Sequence, residues 1–307
     1  MGRTDGSRCG GKLLMDFSYI GTGYHGLAYQ SDEPNTVEGH LFRALSLANV
    51  ASDVLNNGYE RCGRTDRDVH ALHNYASFFP DPCPPNSPCS TVSPDERGVG
   101  PCYRINTFTK AINKHLPRGI RVNWVKHVPD DFSSRRNCTF RVYKYFFQLG
   151  SMDLSLIQDA CRHFLGQHNF NQFCKTDNRN PKDSHGTIYS FEVERYNELL
   201  CVATICGRAF LWHQVRCMMG VLFKVGEGII PGLKVKWLLE HPEGAKFDYK
   251  MASAHGLILV DCGFDLATST VSSARNNAIY QQMLDDTIQT LGPLSLLAGE
   301  RGPSKIT

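Results

Sequence analysis

The densest run of ionisable and polar side chains in this chain is Arg61-Cys62-Gly63-Arg64-Thr65-Asp66-Arg67-Asp68-Val69-His70-Ala71. It follows the Asn57-Gly58 turn signal and precedes a strand pattern, so it reads as a loop at a sheet end. Catalytic groups concentrate on such loops because a rigid scaffold positions them. Asp66 stands between the cations Arg64 and Arg67, a setting that suits a carboxylate acting as nucleophile or base. Residue types alone fit a solvated turn with surface ion pairs at least as well. Asp68, His70 and His73 are metal-ligating types. No H-E-x-x-H motif accompanies them, so the pattern argues against a metal site.

Arg216 is the second candidate. Helical spacing sets it on one face with Trp212, Val215 and Met219, with His213 beside that stripe as a core histidine. An arginine on an apolar stripe either meets a carboxylate or snorkels to the surface. The third candidate is the pair of segments Phe132-Ser133-Ser134-Arg135-Arg136 and Tyr143-Lys144-Tyr145-Phe146-Phe147. From Arg104 to Phe147 there are ten Lys or Arg against two Asp, a local +8 in a chain of net charge +3. Interleaved cations and aromatics suit phosphate contacts and base stacking. A half-buried sheet with a charged outer face gives the same pattern, and strand alternation permits both.

The elements that must hold these residues follow from periodicity. Strands are expected at 13–20, 75–79, 120–128, 140–149, 192–196, 199–206 and 257–262. Helices are expected at 37–48 with an Asn35 N-cap and Glu38 capping box, at 108–116, from an Asp153 cap to Leu165, at 211–225 and at 231–240. The order lacks regular βαβ alternation, so the class is α+β. Seven prolines between Pro80 and Cys102 mark an exposed insertion. Ile279, Met283, Ile288 and Leu291 suggest a terminal amphipathic helix.

With 307 residues, 41% apolar and 21% charged, the chain can bury a core, and wholesale disorder is excluded. Its small net charge excludes a polycation, so any nucleic-acid surface must be local. Twelve cysteines show no Cys-x-x-Cys spacing, which fits buried thiols in a reducing compartment rather than disulfides or a zinc ribbon. There is no Walker loop and no G-x-G-x-x-G, hence no nucleotide-cofactor signal. No signal-peptide pattern or long apolar run is present, so the expectation is a soluble protein of the nucleus and/or cytoplasm, not a membrane protein.

Taken together, these motifs resemble the TruA-type tRNA pseudouridine synthases. The loop Gly63-Arg64-Thr65-Asp66-x-x-Val69-His70-Ala71 is similar to that family's active-site loop. Tyr24-His25-Gly26, Asp130-Asp131-Phe132-Ser133-Ser134-Arg135 with Tyr143-Lys144-Tyr145, Asn169-Phe170 with Phe173, and Phe210-Leu211-Trp212-His213-Gln214-Val215-Arg216 follow in the family's order. The likeness covers roughly residues 12–266. Phe173-Cys174-Lys175-x-Asp177 and His213-Gln214-Val215-Arg216-Cys217-Met218-Met219 look like the eukaryotic Deg1-like branch, which acts on uridines 38 and 39 of the tRNA anticodon stem-loop. One departure is Asp68, where the family usually has glycine. A second carboxylate there puts the loop conformation and the behaviour of Asp66 in question.

The resemblance implies two ferredoxin-like halves joined into one mixed, mainly antiparallel sheet, with helices on the outer face and a basic central cleft. It implies a flexible N-terminus (1–11), an N-terminal half (12–128, with the insertion at 80–102), a C-terminal half (129–266) and a tail (267–307). It implies Asp66 as nucleophile or base, Arg216 as its partner, Tyr143 stacked on the target base and Arg64 assisting base flipping. Arg61, Thr65, His70, Arg135, Lys144, Phe173, Lys175 and His213 become substrate-binding candidates. No cofactor is implied; the partners are tRNA and a second copy in a homodimer. Alternatives are a synthase for other tRNA positions and a catalytically silent tRNA-binding protein.

Overall fold

The computed structural model describes residues 11–83, 105–175 and 183–264. Most of the Pro-rich insertion, the tail with its expected helix, the first ten residues and Asp177 lie outside these ranges. The described chain falls into two compact units, one running to Thr139 and including Phe264, the other from Phe140 to Gly263.

In the first unit, β1 (Leu13–Tyr19) lies between β4 (Ile120–His127) and β3 (His70–Phe78), antiparallel to both. The two-residue β2 (Glu60–Arg61) pairs with the outer side of β3, giving the order β4-β1-β3-β2. Every residue of β1 is buried. Val37, Leu41, Ala44 and Leu45 form the buried face of α1 (Val37–Leu47), the spacing of an amphipathic helix against a core. Truncating Leu41, fully buried, to Ala would cost about 2–5 kcal/mol. Helix α2 (Ile105–Asn113) sets Phe108 and Ile112 inward.

Three expectations for this unit are corrected. The N-cap of α1 is Thr36, whose hydroxyl accepts from Gly39 N–H at 3.1 Å, and not Asn35. Glu38 makes no capping box, because a stronger cationic partner claims it, as described below. Strand β3 starts at His70 rather than Tyr75, since pairing with β1 extends as far as Ala71.

In the second unit the order is β9-β5-β8-β7-β6, with β5 at Cys138–Gln148, β6 at Gly166–Asn169, β7 at His185–Arg195, β8 at Leu200–Gly207 and β9 at Leu257–Phe264. The β7–β8 hairpin turns at Asn197, whose Oδ1 accepts from the N–H groups of Leu199 (2.9 Å) and Leu200 (2.8 Å). Asp153 caps α3 (Leu154–Cys161) as expected. The helix tightens into a 3-10 turn at Arg162–Phe164 instead of continuing to Leu165. Gly226, the last residue of α4 (Gln214–Gly226), lets α3 approach: a Cβ there would sit 2.7 Å from Ile157 Cδ1. Helix α5 spans Leu233–Glu240. The five α-helices and the antiparallel pairings make this an α+β protein with a mainly antiparallel sheet.

Helix α4 begins three residues later than expected. His213 takes a left-handed conformation (φ 62°), which halts the helix there, and Gln214 Oε1 accepts from Leu211 N–H at 2.8 Å. Trp212 therefore lies outside the helix and is about half exposed (49%), not on a stripe with Arg216. Seven of the nine described cysteines are buried.

Candidate active site

The loop 62–69 is held from below and behind. Asn74 is fully buried on β3, and its side chain reads the loop backbone. Its Oδ1 accepts from Gly63 N–H (3.3 Å) and Tyr75 N–H (2.8 Å), and its Nδ2 donates to Gly63 C=O (2.9 Å) and Tyr19 Oη (3.2 Å). The Tyr19 and Thr65 hydroxyls share a 2.7 Å hydrogen bond. The residue before Asp66 is thus pinned by a buried Asn–Tyr–Thr chain. A network of this kind rigidifies only because each polar group is satisfied.

The first turn after β1 closes on the same loop. Gly21 N–H donates to His70 Nδ1 at 3.2 Å, and a Cβ at Gly21 would lie 2.1 Å from the Val69 carbonyl oxygen. Gly26 (φ 90°) leaves only 3.2 Å between a built Cβ and Thr65 O. Leu27 N–H then donates to Thr65 C=O at 3.2 Å. Gly21 and Gly26 are there because backbone meets backbone, while Gly23 takes a left-handed turn position (φ 84°). Helix α1 anchors this strap, with Val37 N–H on Gly26 C=O and Glu38 N–H on Leu27 C=O.

Asp66 is half-buried at the tip of the loop, where its carbonyl accepts from Val69 N–H (3.2 Å) to close a four-residue turn. The third residue of that turn is Asp68, with φ 63°. This is the left-handed region that glycine occupies freely and aspartate tolerates. The Asp68 carboxylate accepts from Gly23 N–H at 3.2 Å and lies 3.6 Å from Arg67 Nε. Asp68 therefore keeps the backbone shape that a glycine would give and adds a tie to the first turn.

The candidate residues separate by position. Arg64 is exposed beside Asp66, and Thr65 is buried beneath it. His70 is fully buried, and its ring braces Gly21. His73 is paired with Asp16 (Nδ1 to Oδ2, 2.9 Å). Arg61 forks onto Glu38, with Nε to Oε1 at 2.5 Å and Nη2 to Oε2 at 2.6 Å. Glu38 is fully buried and also accepts from Tyr59 Oη (3.0 Å) and Tyr29 N–H (2.8 Å). Burial works against the Arg61 charge, but the Glu38 hydrogen bonds and charge outweigh it and raise its pKa. Burial, then the Glu38 carboxylate, pushes the Tyr59 phenol well up. The structure thus gives Arg61 an internal partner in Glu38, with about a third of its side chain still exposed. Arg135 is exposed on the loop before β5.

In the second unit Tyr143 (6% exposed) meets Phe210 edge-on at 4.9 Å, and Lys144 is half-buried on the opposite strand face. Arg216 sits in the first turn of α4. Its Nε donates to Ala252 C=O at 2.8 Å, and its own carbonyl accepts from Ala252 N–H at 3.1 Å. Its charge opposes the upward push that burial gives the Tyr145 phenol, so the guanidinium stands near that ring. Lys175 is exposed, with its N–H on Trp212 C=O at 3.0 Å. Phe173 is corrected to a core residue. It is fully buried against Phe164 (4.9 Å) and Phe170 (6.4 Å), leaving no face for a ligand. The sequence pattern did not single out Tyr19 or Asn74 as supports of the loop, nor Glu38 as an ion-pair partner; Asn74 lies among other polar residues of its strand, so nothing local marks it.

The braced loop thus presents Asp66 with Arg64 and Arg67 on either side of it in sequence. The family model described as tRNA pseudouridine synthase matches residues 160–265. The chain is 31% identical over 315 residues to a Bos taurus "tRNA pseudouridine(38/39) synthase", covering 94% of this chain and 65% of that one. It is 34% identical over 268 residues to the Mus musculus protein of the same name (82% and 55%). It is 30% identical over 259 residues to a Methanosarcina barkeri "tRNA pseudouridine synthase A" (83% and 85%). The chain belongs to the tRNA pseudouridine synthase family. It spans 65% of the bovine and 55% of the mouse relative's length. A solved Cbf5-Nop10-Gar1 complex aligns with 69% of this chain and 45% of its own chain at 9% identity and a TM-score of 0.34.

Proposed function

We propose that this chain isomerises uridine to pseudouridine in tRNA, at positions 38 and 39 of the anticodon stem-loop. The observation that carries the reading is the braced loop Gly63–His70, which presents Asp66 half-exposed on a fixed backbone. Preorganisation of this kind is what a nucleophile or base needs. The names of the bovine and mouse relatives supply the positions.

In this reaction the N1–C1′ bond breaks, the uracil turns, C5 bonds to C1′, the C5 proton leaves and N1 is protonated. The sum is an isomerisation that draws on no cofactor. Asp66 is the nucleophile or base at the glycosidic centre. The family resemblance assigns Arg216 the task of keeping that carboxylate ionised. Tyr143 stacks on the target base, and Arg64 assists its exit from the stem, a step costing a few kcal/mol. Arg135 and Lys144 supply phosphate contacts along a basic cleft. The ferredoxin-like reading of each half is supported by the shared order of last, first, third and second strand, with β6 as an addition at the edge. We further propose a homodimer on tRNA, working in the nucleus and/or cytoplasm. Among the described residues no helix is long and apolar enough to cross a membrane.

A silent tRNA-binding protein is disfavoured by the Asp68 geometry, which preserves the loop. The test is tritium release from C5-labelled uridine in tRNA. Wild type should turn over and Asp66→Asn should lose at least a thousandfold; full turnover by Asp66→Asn would refute the mechanism. Site-resolved mapping in cells lacking the gene should show loss at positions 38 and 39, and unchanged levels there would reassign the target.

A further inference from the structure

Beside Arg216, the second unit holds a cavity of about 440 Å³ that takes in Lys175, one of the substrate-binding candidates, and is otherwise lined by residues with no role above. Phe247, Tyr249 and Met251 form its apolar wall, and Lys175, Lys246 and Cys217 also line it. The next residue, Ala252, is the one joined to Arg216 by two hydrogen bonds (2.8 and 3.1 Å), so the cavity wall runs directly into the Arg216 site.

Its charge is positive. Burial raises the pKa of the Cys217 thiol, while a hydrogen bond with Tyr249 and then the charges of Arg216, Lys246 and Lys175 oppose that rise; of these cations Lys175 and Lys246 line the cavity. Lys246 Nζ donates to the carbonyls of Asn171 and Cys174 (3.1 Å to the latter), which fixes the ammonium without neutralising it. Lys224 and Lys234 stand 5.8 and 5.6 Å from the Phe247 ring centre. Asp248 is the one carboxylate lining the space. The volume falls within the range of small-molecule sites. A planar aromatic wall with several cations around it selects a planar anion, and RNA offers that chemistry as a nucleotide turned out of its stack.

We propose that this cavity is a subsite for one unstacked nucleotide of the RNA substrate, with its base against Phe247 and its phosphate between Lys175 and Lys246. The proposal rests on the synthase reading for its substrate, but its test is a binding measurement that stands apart from turnover.

The experiment measures the affinity of the full chain for an anticodon stem-loop RNA by fluorescence anisotropy across a salt series. It compares wild type, Phe247→Leu and Lys175→Gln, with folding checked by circular dichroism. Phe247→Leu should raise Kd about tenfold, within the range for losing one stacked base. That loss should vanish on an RNA made abasic at a single loop position. Lys175→Gln should weaken binding and lower the slope of log Kd against log salt by about one. Because Lys175 is exposed, this variant remains informative if Phe247→Leu misfolds. Unchanged Kd and slope in the folded variants would overturn the subsite, even with turnover intact. So would variants that lose only binding of free uridine monophosphate while RNA affinity holds. If the variants shift as expected but wild type forms no pseudouridine, the subsite stands and the proposed reaction falls.

Discussion

Replacing Arg61 by Met separates a scaffold role from a substrate role. The substitution keeps most of the stem volume and removes both guanidinium bonds to Glu38 (2.5 and 2.6 Å). Glu38 is fully buried and is left with the Tyr59 hydroxyl and the Tyr29 amide as donors. Breaking a buried ion pair on one side costs about 3–5 kcal/mol. The Arg61 side chain is 34% exposed and two donors remain, so the low end applies, about 2–3 kcal/mol. That is a fall of roughly thirty- to a hundred-and-fifty-fold in the folding constant. Adding Glu38→Gln to Arg61→Met removes the uncompensated charge and should recover about 1 kcal/mol or more. Urea unfolding followed by circular dichroism gives the stabilities, and anisotropy with the stem-loop RNA gives affinity. The expected pattern is a clear loss of stability with Kd within twofold of wild type. Stability unchanged within about 0.5 kcal/mol, together with a tenfold weaker Kd, would refute the scaffold assignment and return Arg61 to the RNA surface.

Two further outcomes follow from the loop. Gly21→Ala drives a Cβ to 2.1 Å from the Val69 carbonyl, so the loop must move by about 1 Å; turnover should drop about a hundredfold, read by tritium release from saturating tRNA. Asp68→Gly should stay within about 0.5 kcal/mol of wild type with activity retained, because relief of the left-handed backbone offsets the lost tie to Gly23. Asp68→Val, β-branched at the same φ, should lose about 2 kcal/mol and most turnover in the same assays.

The synthase resemblance was legible in the order of short motifs, and it was that order, rather than the loop's residue types, that singled out Asp66 as the candidate carboxylate. Periodicity placed β1, β4, β5, β8, β9 and the inward face of α1, because burial repeats every second residue in a strand and every third or fourth in a helix. Other features had no local signature. The start of α4 depends on one left-handed residue, His213, and that backbone state leaves no periodicity. The capping spacing at Glu38 was real, yet a guanidinium from 23 residues away outcompeted the backbone N–H. The same strand order in both units is carried by pairing between distant segments, so no sequence repeat announces it.

What the amino-acid sequence settled by itself is therefore the chemistry on offer: one carboxylate loop, one arginine at a helix start, and a basic aromatic strip. Only the tertiary structure decided which of those charges is spent internally. Arg61, His70 and Phe173 have side-chain types that suit RNA, and the fold uses them as an ion-pair partner, a brace and core filling. The physical reason is that a side chain's partner is set by what desolvation brings against it, and burial is a property of the assembled chain rather than of its neighbours in sequence.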